Sequence, residues 1–328
     1  MKHNRLLALF IAVLLMLAPM AGYTDRAMRL VARKYGAEYS VTEMVSAKAV
    51  TFGDKKTFEL ARILPDEGPV AVQIFGSEPE IMAAAAQRLS QPLEGVRPVA
   101  IDINMGCPVH KIFSNGEGSA LMGDPALIER IVRGVCAVTD LPVTVKLRLG
   151  IDRDRINAAE CADAAVRGGA AAICMHGRTR ADMYGGRADR EMLARVREGV
   201  RVPFIANGDI TSADEALDML ATTAADGIAI GRGAVGNPFI FAEITAALTK
   251  KRYTPPTLEE KIATALDQLR AAVEEKGEAR AIPEARKQIA LYLRGFRGAA
   301  SARAEINRAT TYSAVESALA AVKDEEMS

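Results

Sequence analysis

The sequence predicts an α/β fold, a closed (β/α)8 barrel followed by a small all-helical domain. Short, almost continuously apolar segments alternate with amphipathic segments of helical length, and eight apolar segments occur before residue 234. Near-continuous apolar strands separated by helices are typical of a parallel sheet covered on both faces. Eight βα units in about 240 residues suit a barrel. A doubly wound open sheet is the alternative, but eight strands and a glycine-rich turn after the last one favour closure.

The predicted strands share high apolar content and end in polar or glycine residues. In chain order they are LLMLAPM, EYSVTEM, VAVQIFG, VAIDINMG, VTVKLRLG, AAICMHG, VPFIANGD and GIAIGRG. The amphipathic segments between them predict helices over residues 79–89, 125–138, 157–167, 189–198 and 212–220.

Composition and charge exclude several classes of protein. The chain has 328 residues, 49% of them hydrophobic and 25% charged, and its formal net charge is +1. A strongly basic or acidic protein is excluded, so any nucleic-acid surface has to be local. The four cysteines show neither a CxxC pair nor the spacing of metal ligands, which predicts no metal site, no disulfide framework and a reducing compartment.

The alternation of predicted strands and helices ends after KKRYTPPT, residues 250–257. No strand pattern follows, and the remainder predicts helices with breaks near Gly277, Pro283 and Gly295–Gly298. We therefore expect a barrel domain over residues 1–250 and a helical domain over residues 257–328. Six basic residues against one acid occupy 286–308, which indicates either a solvated helix face or a surface that contacts phosphates.

Polar residues follow the apolar strands at the end where a barrel carries its chemistry. ANGDI and GRGAVGNP close the seventh and eighth strands, where barrels often bind a phosphate on backbone N–H groups. Gly231 and Gly233 could equally serve a tight turn. Lys146 needs an anionic or electron-rich partner, because an unpaired buried charge is expensive. A flat electron-rich ring with a phosphate tail, such as flavin mononucleotide (FMN), would satisfy all of these groups together.

Nine motifs occur in order along the chain and together are highly specific. They are APMAGYTD, TEM, VQIFG, DINMGCP, GSALM, VKLRLG, HGRTR, ANGDI and IGRGAVGNPFIF. In this combination the chain resembles the tRNA-dihydrouridine synthases, most closely the bacterial B-type branch. The resemblance runs from about Asn4 to the C-terminal helices.

The resemblance implies a TIM barrel that binds FMN, a flavin reduced by NADPH, and a C-terminal domain that helps to bind tRNA. The residues that it places around FMN are Pro19, Met20, Ala21, Gln73, Lys146, His176, Asn207, Gly208, Asp209, Gly231 and Arg232. Cys107 matches the catalytic cysteine of the family, and Asn104 the asparagine beside the substrate uracil. Further contacts to uracil or RNA are expected from Arg148, Arg178, Arg180, Arg286, Lys287 and Arg294.

The expected reaction reduces the C5–C6 bond of specific uridines in tRNA, in the D-loop, and it needs a hydride and a proton. Reduced flavin supplies a hydride, and an acid within hydrogen-bonding reach must supply the proton. A thiol with a pKa of about 8.5 stays largely protonated at neutral pH, so we predict Cys107 to be a proton donor. Two alternatives remain open: an FMN-dependent oxidoreductase of a free pyrimidine, like dihydroorotate dehydrogenase, and a non-catalytic RNA-binding protein.

Three departures from the family pattern qualify these expectations. The apolar run 6–18, which follows Lys2 and Arg5, has the length of a signal-peptide core. It is too short to span a bilayer. Since Pro19 and Met20 would line the flavin, we interpret the run as the first strand and expect a cytoplasmic monomer without stable membrane association. Gln288 replaces a histidine usual in the B-type branch, and His110 lies in an altered loop after Cys107.

Overall fold

A computed structural model of the protein describes residues 13–93 and 95–327. The part of the predicted first strand that covers residues 6–12 lies outside the described residues, as does Asn4.

Eight parallel strands form a closed ring, which confirms the predicted barrel. The sheet order is β2-β1-β9-β8-β7-β6-β5-β4, and β2 also pairs with β4, which closes the ring. A ninth strand, β3, adds a short parallel pairing to β4 and was not predicted. The strands are β1 (Leu14–Leu17), β2 (Tyr39–Val41), β3 (Val45–Ser46), β4 (Val70–Phe75), β5 (Ala100–Asn104), β6 (Val143–Leu147), β7 (Ala172–His176), β8 (Phe204–Asn207) and β9 (Gly227–Ile230).

Helices cover the outside of the ring and then continue as the C-terminal domain. Those around the barrel are α1 (Arg26–Lys34), α2 (Ala47–Thr51), α3 (Lys55–Ala61), α4 (Pro79–Leu89), α5 (His110–Ser114), α6 (Pro125–Cys136), α7 (Ala158–Gly168), α8 (Arg190–Gly199), α9 (Ala213–Thr223) and α10 (Ile240–Leu248). Those of the domain are α11 (Leu258–Lys276), α12 (Glu278–Ile289), α13 (Ala299–Arg308) and α14 (Tyr312–Met327). The five helices predicted around the barrel are all present, with ends shifted by three residues at most.

The alternation of side chains along each strand separates two cores. On β5, Ile101 and Ile103 point outward into the large core between strands and helices. Ala100 packs with small and medium side chains inside the ring, among them Ala71, Cys174 and Ala229. Small interior residues at the amino-terminal end leave the carboxyl ends of the strands for polar side chains.

The C-terminal domain has its own core and packs against the barrel near α1 and α10. Tyr35 packs against Phe239 with ring centroids 4.4 Å apart and ring planes inclined by 56°, and its hydroxyl lies 2.7 Å from Thr264 Oγ1. Gly236 has a φ of +68°, and a Cβ there would lie 2.5 Å from the Cβ of Leu291. A side chain at this position would therefore separate the two domains.

One predicted helix break is wrong. Pro283 lies inside α12 rather than at an end. Proline removes one backbone hydrogen bond, but Ile282, Ala285 and Ile289 pack into the core of the domain on one face of this helix. We attribute the continuation of the helix to that burial. The breaks at Gly277 and at Gly295–Gly298 are present.

Candidate active site

The polar side chains predicted at the strand ends come together at the carboxyl end of the barrel. Register pairs Asn104 on β5 with Lys146 on β6, and His176 on β7 with Asn207 on β8. Residues level with each other on neighbouring parallel strands face the same side, so these four surround one mouth. The residues after β1 join them, since a Cβ at Gly231 would lie 3.3 Å from the Sδ of Met20.

Cys107 lies on the loop after β5 and is half-buried. The Oδ1 atom of Asn104 accepts hydrogen bonds from the backbone N–H of Gly106 at 3.2 Å and of Cys107 at 2.9 Å. The carbonyl oxygen of Cys107 accepts from the hydroxyl of Ser119 at 2.8 Å. Both sides of the cysteine backbone are therefore fixed by neighbouring groups.

The environment keeps the thiol protonated. Burial raises the pKa of Cys107 above its ordinary value, against smaller opposing effects of a hydrogen bond from Val109 and the charges of Arg148 and Lys146. A reactive thiolate needs a lowered pKa. The site therefore suits a thiol that donates a proton better than one that attacks as a nucleophile.

Lys146, His176 and Asn207 form the floor of the mouth. The ammonium of Lys146 donates to Asn207 Oδ1 at 3.0 Å, and Asn207 Nδ2 donates to the carbonyl of Ala229 at 2.7 Å. Burial lowers the pKa of Lys146. Burial, with the charge of Lys146 next in importance, lowers the pKa of His176 well below its ordinary value. His176 is consequently a neutral imidazole at physiological pH.

Arg178 is buried behind this floor, with a relative exposure of 2%. Its guanidinium binds both carboxylate oxygens of Asp209, at 2.9 and 2.8 Å. It also donates to the carbonyls of Gly185 and Gly186 at 2.8 Å each. In this structure Arg178 therefore holds Asp209 and the loop after β7, and the uracil contact expected of it stays a prediction.

The turn that carries Asp209 is constrained by close backbone packing. Gly208 has a φ of +134°, and a Cβ there would lie 2.6 Å from the Cβ of Ala188. A Cβ at Gly233 would lie 2.0 Å from the carbonyl oxygen of Ile210. Gly233 therefore serves the packing of a tight turn, which was one of the two readings left open. Arg232 is exposed, and its guanidinium lies 3.3 Å from Asp209 Oδ1.

The sequence reasoning missed Tyr184. This residue is 53% exposed. The centroid of its ring lies 5.9 Å from the guanidinium carbon of Arg148 and 5.2 Å from that of Arg232. Arg148 also donates to the carbonyls of Gly106, Thr179 and Met183, so it ties the Cys107 loop to the loop after β7. An exposed aromatic residue after the recognised HGRTR segment was the signal available.

Asp102 was also missed. It lies two residues before Asn104 and so faces the same interior, where it is 2% exposed. Gln73 Nε2 donates to its carboxylate at 2.6 Å, and Thr144 donates to its other oxygen. A buried acid on the strand that leads to the predicted catalytic cysteine could have been noticed from the alternation alone.

The C-terminal domain reaches the barrel mouth through α12. The ammonium of Lys287 lies 4.2 Å from the centroid of the Tyr23 ring, and a Cβ at Gly22 would lie 2.9 Å from it. Gln288, which replaces the family histidine, donates to the carbonyl of Tyr23 at 3.2 Å. Its Oε1 accepts from Gln268 at 2.8 Å. The departure in sequence therefore lies in a buried contact between the domains.

The remaining basic residues of the C-terminal domain differ in exposure. Arg286 is half-buried and donates to the carbonyl of Ala309 at 2.5 Å, the residue that follows α13. Arg294 is exposed, and Arg308 pairs with Glu305 at 3.0 Å. Arg180 packs over Phe113, 4.1 Å from the ring centroid. Lys287, in contrast, lies against the residues that follow β1.

Among residues 13–93 and 95–327, no cluster of three or more histidine, cysteine or acidic side chains could hold a metal ion. Within the same part of the chain, none of the helices combines the length and apolar character needed to cross a membrane.

The fold and this site define a (β/α)8-barrel enzyme with its chemistry at the carboxyl ends of the strands. Residues 16–326 match the family model described as dihydrouridine synthase (Dus). The chain is 40% identical over 292 residues to a probable tRNA-dihydrouridine synthase 1 of Synechocystis sp., covering 88% of this chain and 80% of that protein. It is 39% identical over 297 residues to the tRNA-dihydrouridine synthase B of Pseudomonas aeruginosa, covering 90% and 88%. The protein belongs to the dihydrouridine synthase family, which confirms the resemblance seen in the motifs.

Solved structures of other barrel enzymes share the fold. A histamine dehydrogenase from Rhizobium sp. 4-9 matches with a TM-score of 0.52 and 13% identity, over 78% of this chain and 48% of that one. An old yellow enzyme homologue from Zymomonas mobilis matches with a TM-score of 0.51 and 13% identity, over 76% and 92%. At this identity the likeness supports the barrel architecture alone.

Proposed function

We propose that this protein reduces uridine to dihydrouridine in tRNA, with FMN bound in the barrel mouth and Cys107 as the proton donor. One observation carries the proposal. A half-buried thiol with a raised pKa is fixed on the loop after β5, beside a floor that contains an ammonium group and a neutral imidazole. The identities of 40% and 39% to two tRNA-dihydrouridine synthases over most of the chain support the same substrate.

The donor groups at the mouth fit FMN. Gln73, Lys146, His176 and Arg232 can all donate N–H groups, and two of them are cations. A flavin ring offers nitrogen and oxygen acceptors, and its phosphate carries negative charge. The carboxylate of Asp209, which would repel a phosphate, is already bound by Arg178. The backbone of Pro19, Met20, Ala21, Asn207, Gly208 and Gly231 would complete the site.

When bound and reduced, FMN supplies the hydride that uracil needs at C6, and we propose NADPH as the reductant. Cys107 donates its S–H proton to C5 and recovers a proton from water. Because its pKa is raised, the thiol is protonated before each turnover. Lys146 and Arg148 provide positive charge at the site as negative charge develops on the reacting base.

The target base must leave its stack to enter the mouth. Tyr184, exposed beside Arg148 and Arg232, offers a ring on which a displaced or neighbouring base can stack. Asn104 stands at the same rim as Cys107 and would orient the uracil. Arg178 would act by holding Asp209 and the loop that carries Tyr184.

The C-terminal domain would bind the tRNA backbone. The position of Lys287 at the mouth and the exposure of Arg294 on the same domain support a role for both in contacting phosphates of the bound tRNA. Arg286 would support this surface by capping α13 through the carbonyl of Ala309.

Expression in a bacterial strain that lacks dihydrouridine tests the proposal. We expect the wild-type protein to restore dihydrouridine in total tRNA, measured by mass spectrometry of nucleosides, and Cys107→Ala to restore little. Cys136→Ala is the matched control, because Cys136 lies at the end of α6, outside the mouth. Failure of the well-folded wild type to restore any dihydrouridine, or equal restoration by Cys107→Ala, would contradict the proposal.

A further inference from the structure

A continuous chain of hydrogen bonds connects Asp102 inside the barrel with the Cys107 loop. Gln73 Nε2 donates to Asp102 Oδ2 at 2.6 Å, and Gln73 Oε1 accepts from Asn104 Nδ2 at 2.9 Å. Asn104 Oδ1 accepts in turn from the backbone N–H of Cys107 at 2.9 Å. The three side chains have relative exposures of 2%, 1% and 8%, so water does not compete strongly for these bonds.

The two ends of this chain fix the orientation of both amides. An ionised carboxylate can only accept hydrogen bonds, and a backbone N–H can only donate. Gln73 must therefore turn its NH2 group to Asp102 and its oxygen to Asn104. Asn104 must then turn its oxygen to the Cys107 loop. If either amide turned over, two donors or two acceptors would face each other in a buried site, which costs about 1–3 kcal/mol for each unsatisfied group.

From this geometry we propose that Asp102 is a positioning residue, which sets the orientation of the Gln73 and Asn104 amides and thereby holds the Cys107 loop in place. The inference rests on the proposed function in so far as Cys107 is the proton donor. It assigns no contact between Asp102 and substrate or flavin. A positioning role gives a reason for a carboxylate inside the barrel, where burial of charge is unfavourable.

Thr144 distinguishes an acceptor role from a charge role. Its hydroxyl donates to Asp102 Oδ1, but a hydroxyl can also accept. In Asp102→Asn, the new amide can therefore accept from Gln73 through its oxygen and donate to Thr144 through its nitrogen. In that variant each hydrogen bond from position 102 to the Cys107 loop keeps its donor and its acceptor. Asp102→Leu, by contrast, removes the acceptor for Gln73.

The test compares Asp102→Leu, Asp102→Asn and the control Thr144→Val, each as the flavin-bound protein. Hydrogen–deuterium exchange of the peptide that contains Gly106 and Cys107 reports the N–H groups bound by Asn104. The rate of alkylation of Cys107 by iodoacetamide near neutral pH reports the position of the thiol, with Cys136 as the internal reference. Neither readout requires tRNA reduction, so failure of this inference is distinguishable from failure of the proposed function.

For Asp102→Leu we expect about tenfold faster exchange of the loop peptide and an altered alkylation rate of Cys107, with Cys136 unchanged. Asp102→Asn and Thr144→Val should stay within about threefold of wild type, because the acceptor for Gln73 is retained. Unchanged exchange and alkylation in a folded Asp102→Leu would overturn the proposal. So would an effect of Asp102→Asn as large as that of Asp102→Leu, because charge would then be the essential property.

If Asp102→Leu does not fold, Gln73→Met takes its place, because it breaks the same chain one bond further along. Since Gln73 is itself a proposed flavin ligand, flavin-depleted wild type serves as the reference if this variant holds no flavin. The same increase in exchange of the Cys107 peptide supports the proposal, and exchange equal to that of the reference overturns it.

Discussion

The ammonium of Lys146 on β6 donates a hydrogen bond to Asn207 Oδ1 on β8, at 3.0 Å, and so connects two strands that flank β7. The Asn207 amide is itself oriented by its bond to the carbonyl of Ala229 on β9. Three strands thus fix one cation in the floor of the mouth. A lysine held in this way supplies charge at a defined point instead of moving with solvent.

Replacing this cation should weaken flavin binding. We expect Lys146→Met to raise the dissociation constant for FMN at least about tenfold, since a charge-assisted hydrogen bond contributes about 1.5–3 kcal/mol. Fluorescence titration of flavin-depleted protein measures the constant. Lys56→Met, on the exposed side of α3, should leave it unchanged. Equal affinity of the Lys146 variant and wild type would remove Lys146 from the proposed flavin site.

A second prediction concerns the turn beside Cys107. Gly118 has a φ of +59°, and a Cβ there would lie 2.9 Å from Ile112 Cγ2 and 3.0 Å from the Cβ of Cys107. Gly116 has a φ of +77°, with no atom within 4 Å of such a Cβ. Both alanine variants carry the backbone cost of about 1 kcal/mol, but Gly118→Ala adds overpacking of about 1–3 kcal/mol.

Chemical denaturation of the two variants separates these costs. We expect Gly118→Ala to lose at least about 1 kcal/mol more unfolding free energy than Gly116→Ala. The alkylation rate of Cys107 should change only in the Gly118 variant. Equal unfolding free energies of the two variants would show that the turn accommodates the added methyl group at Gly118 without a loss of stability.

The titration of Asp102 should affect stability as well. Burial raises its pKa from 3.8 to about 6, against the hydrogen bonds from Gln73 and Thr144 and the charge of Lys146. The folded state then binds more protons than the unfolded state between these values, so this group makes the unfolding free energy fall as pH rises through that window. Asparagine does not titrate, so Asp102→Asn does not lose this part of the unfolding free energy as pH rises.

We therefore expect the stability of Asp102→Asn relative to wild type to increase by on the order of 2–3 kcal/mol between pH 4 and pH 7. Urea titrations at several pH values measure the difference, and subtraction of the two proteins removes the contributions of other acids. A difference that is constant with pH would mean that the pKa of Asp102 is not raised in the folded protein.

Salt dependence tests the proposed RNA surface. Removing a phosphate contact lowers the slope of log affinity against log salt by about 1. We expect this for Lys287→Ala and Arg294→Ala in tRNA binding. Arg201→Ala is the matched control, because Arg201 is exposed before β8, at the opposite end of the barrel. If both variants show the same salt dependence of tRNA affinity as wild type, Lys287 and Arg294 do not contact tRNA phosphates.

Arg286 should behave differently from its neighbours. Its guanidinium bonds the carbonyl of Ala309, so Arg286→Ala should lower the unfolding free energy by about 1–2 kcal/mol. A variant that keeps full stability but loses tRNA affinity would assign Arg286 directly to the RNA surface.

The sequence was sufficient for the barrel because each strand and helix carries its own periodic signal. The mainly apolar segment 99–103 predicts β5, and the residues after it place Asn104 and Cys107 at the mouth. The short strand β3 could not be predicted, because a strand of two residues is too short to show an alternation of apolar and polar side chains. Pro283 was misleading, since the burial of one face of α12 is a tertiary effect that local propensity does not contain.

Contacts between distant residues were beyond the sequence. Arg178 binds Asp209, and Lys287 contacts the ring of Tyr23. Both contacts depend on how loops and domains pack in three dimensions. Asp102 was visible as a residue on the inward face of β5, but its link to Cys107 through Gln73 requires β4 as a neighbour. The roles proposed for the site residues rest on these contacts together with the family motifs.

The proposed function requires that tRNA oxidise the bound flavin through a step that needs Cys107. The most direct measurement is anaerobic: the flavin is reduced with NADPH, tRNA lacking dihydrouridine is added, and flavin reoxidation is followed by absorbance beside free uridine and orotate. We expect fast reoxidation by tRNA alone, and a rate about 100-fold or more lower for Cys107→Ala. Reoxidation by a free pyrimidine instead, or an undiminished rate in Cys107→Ala, would contradict it.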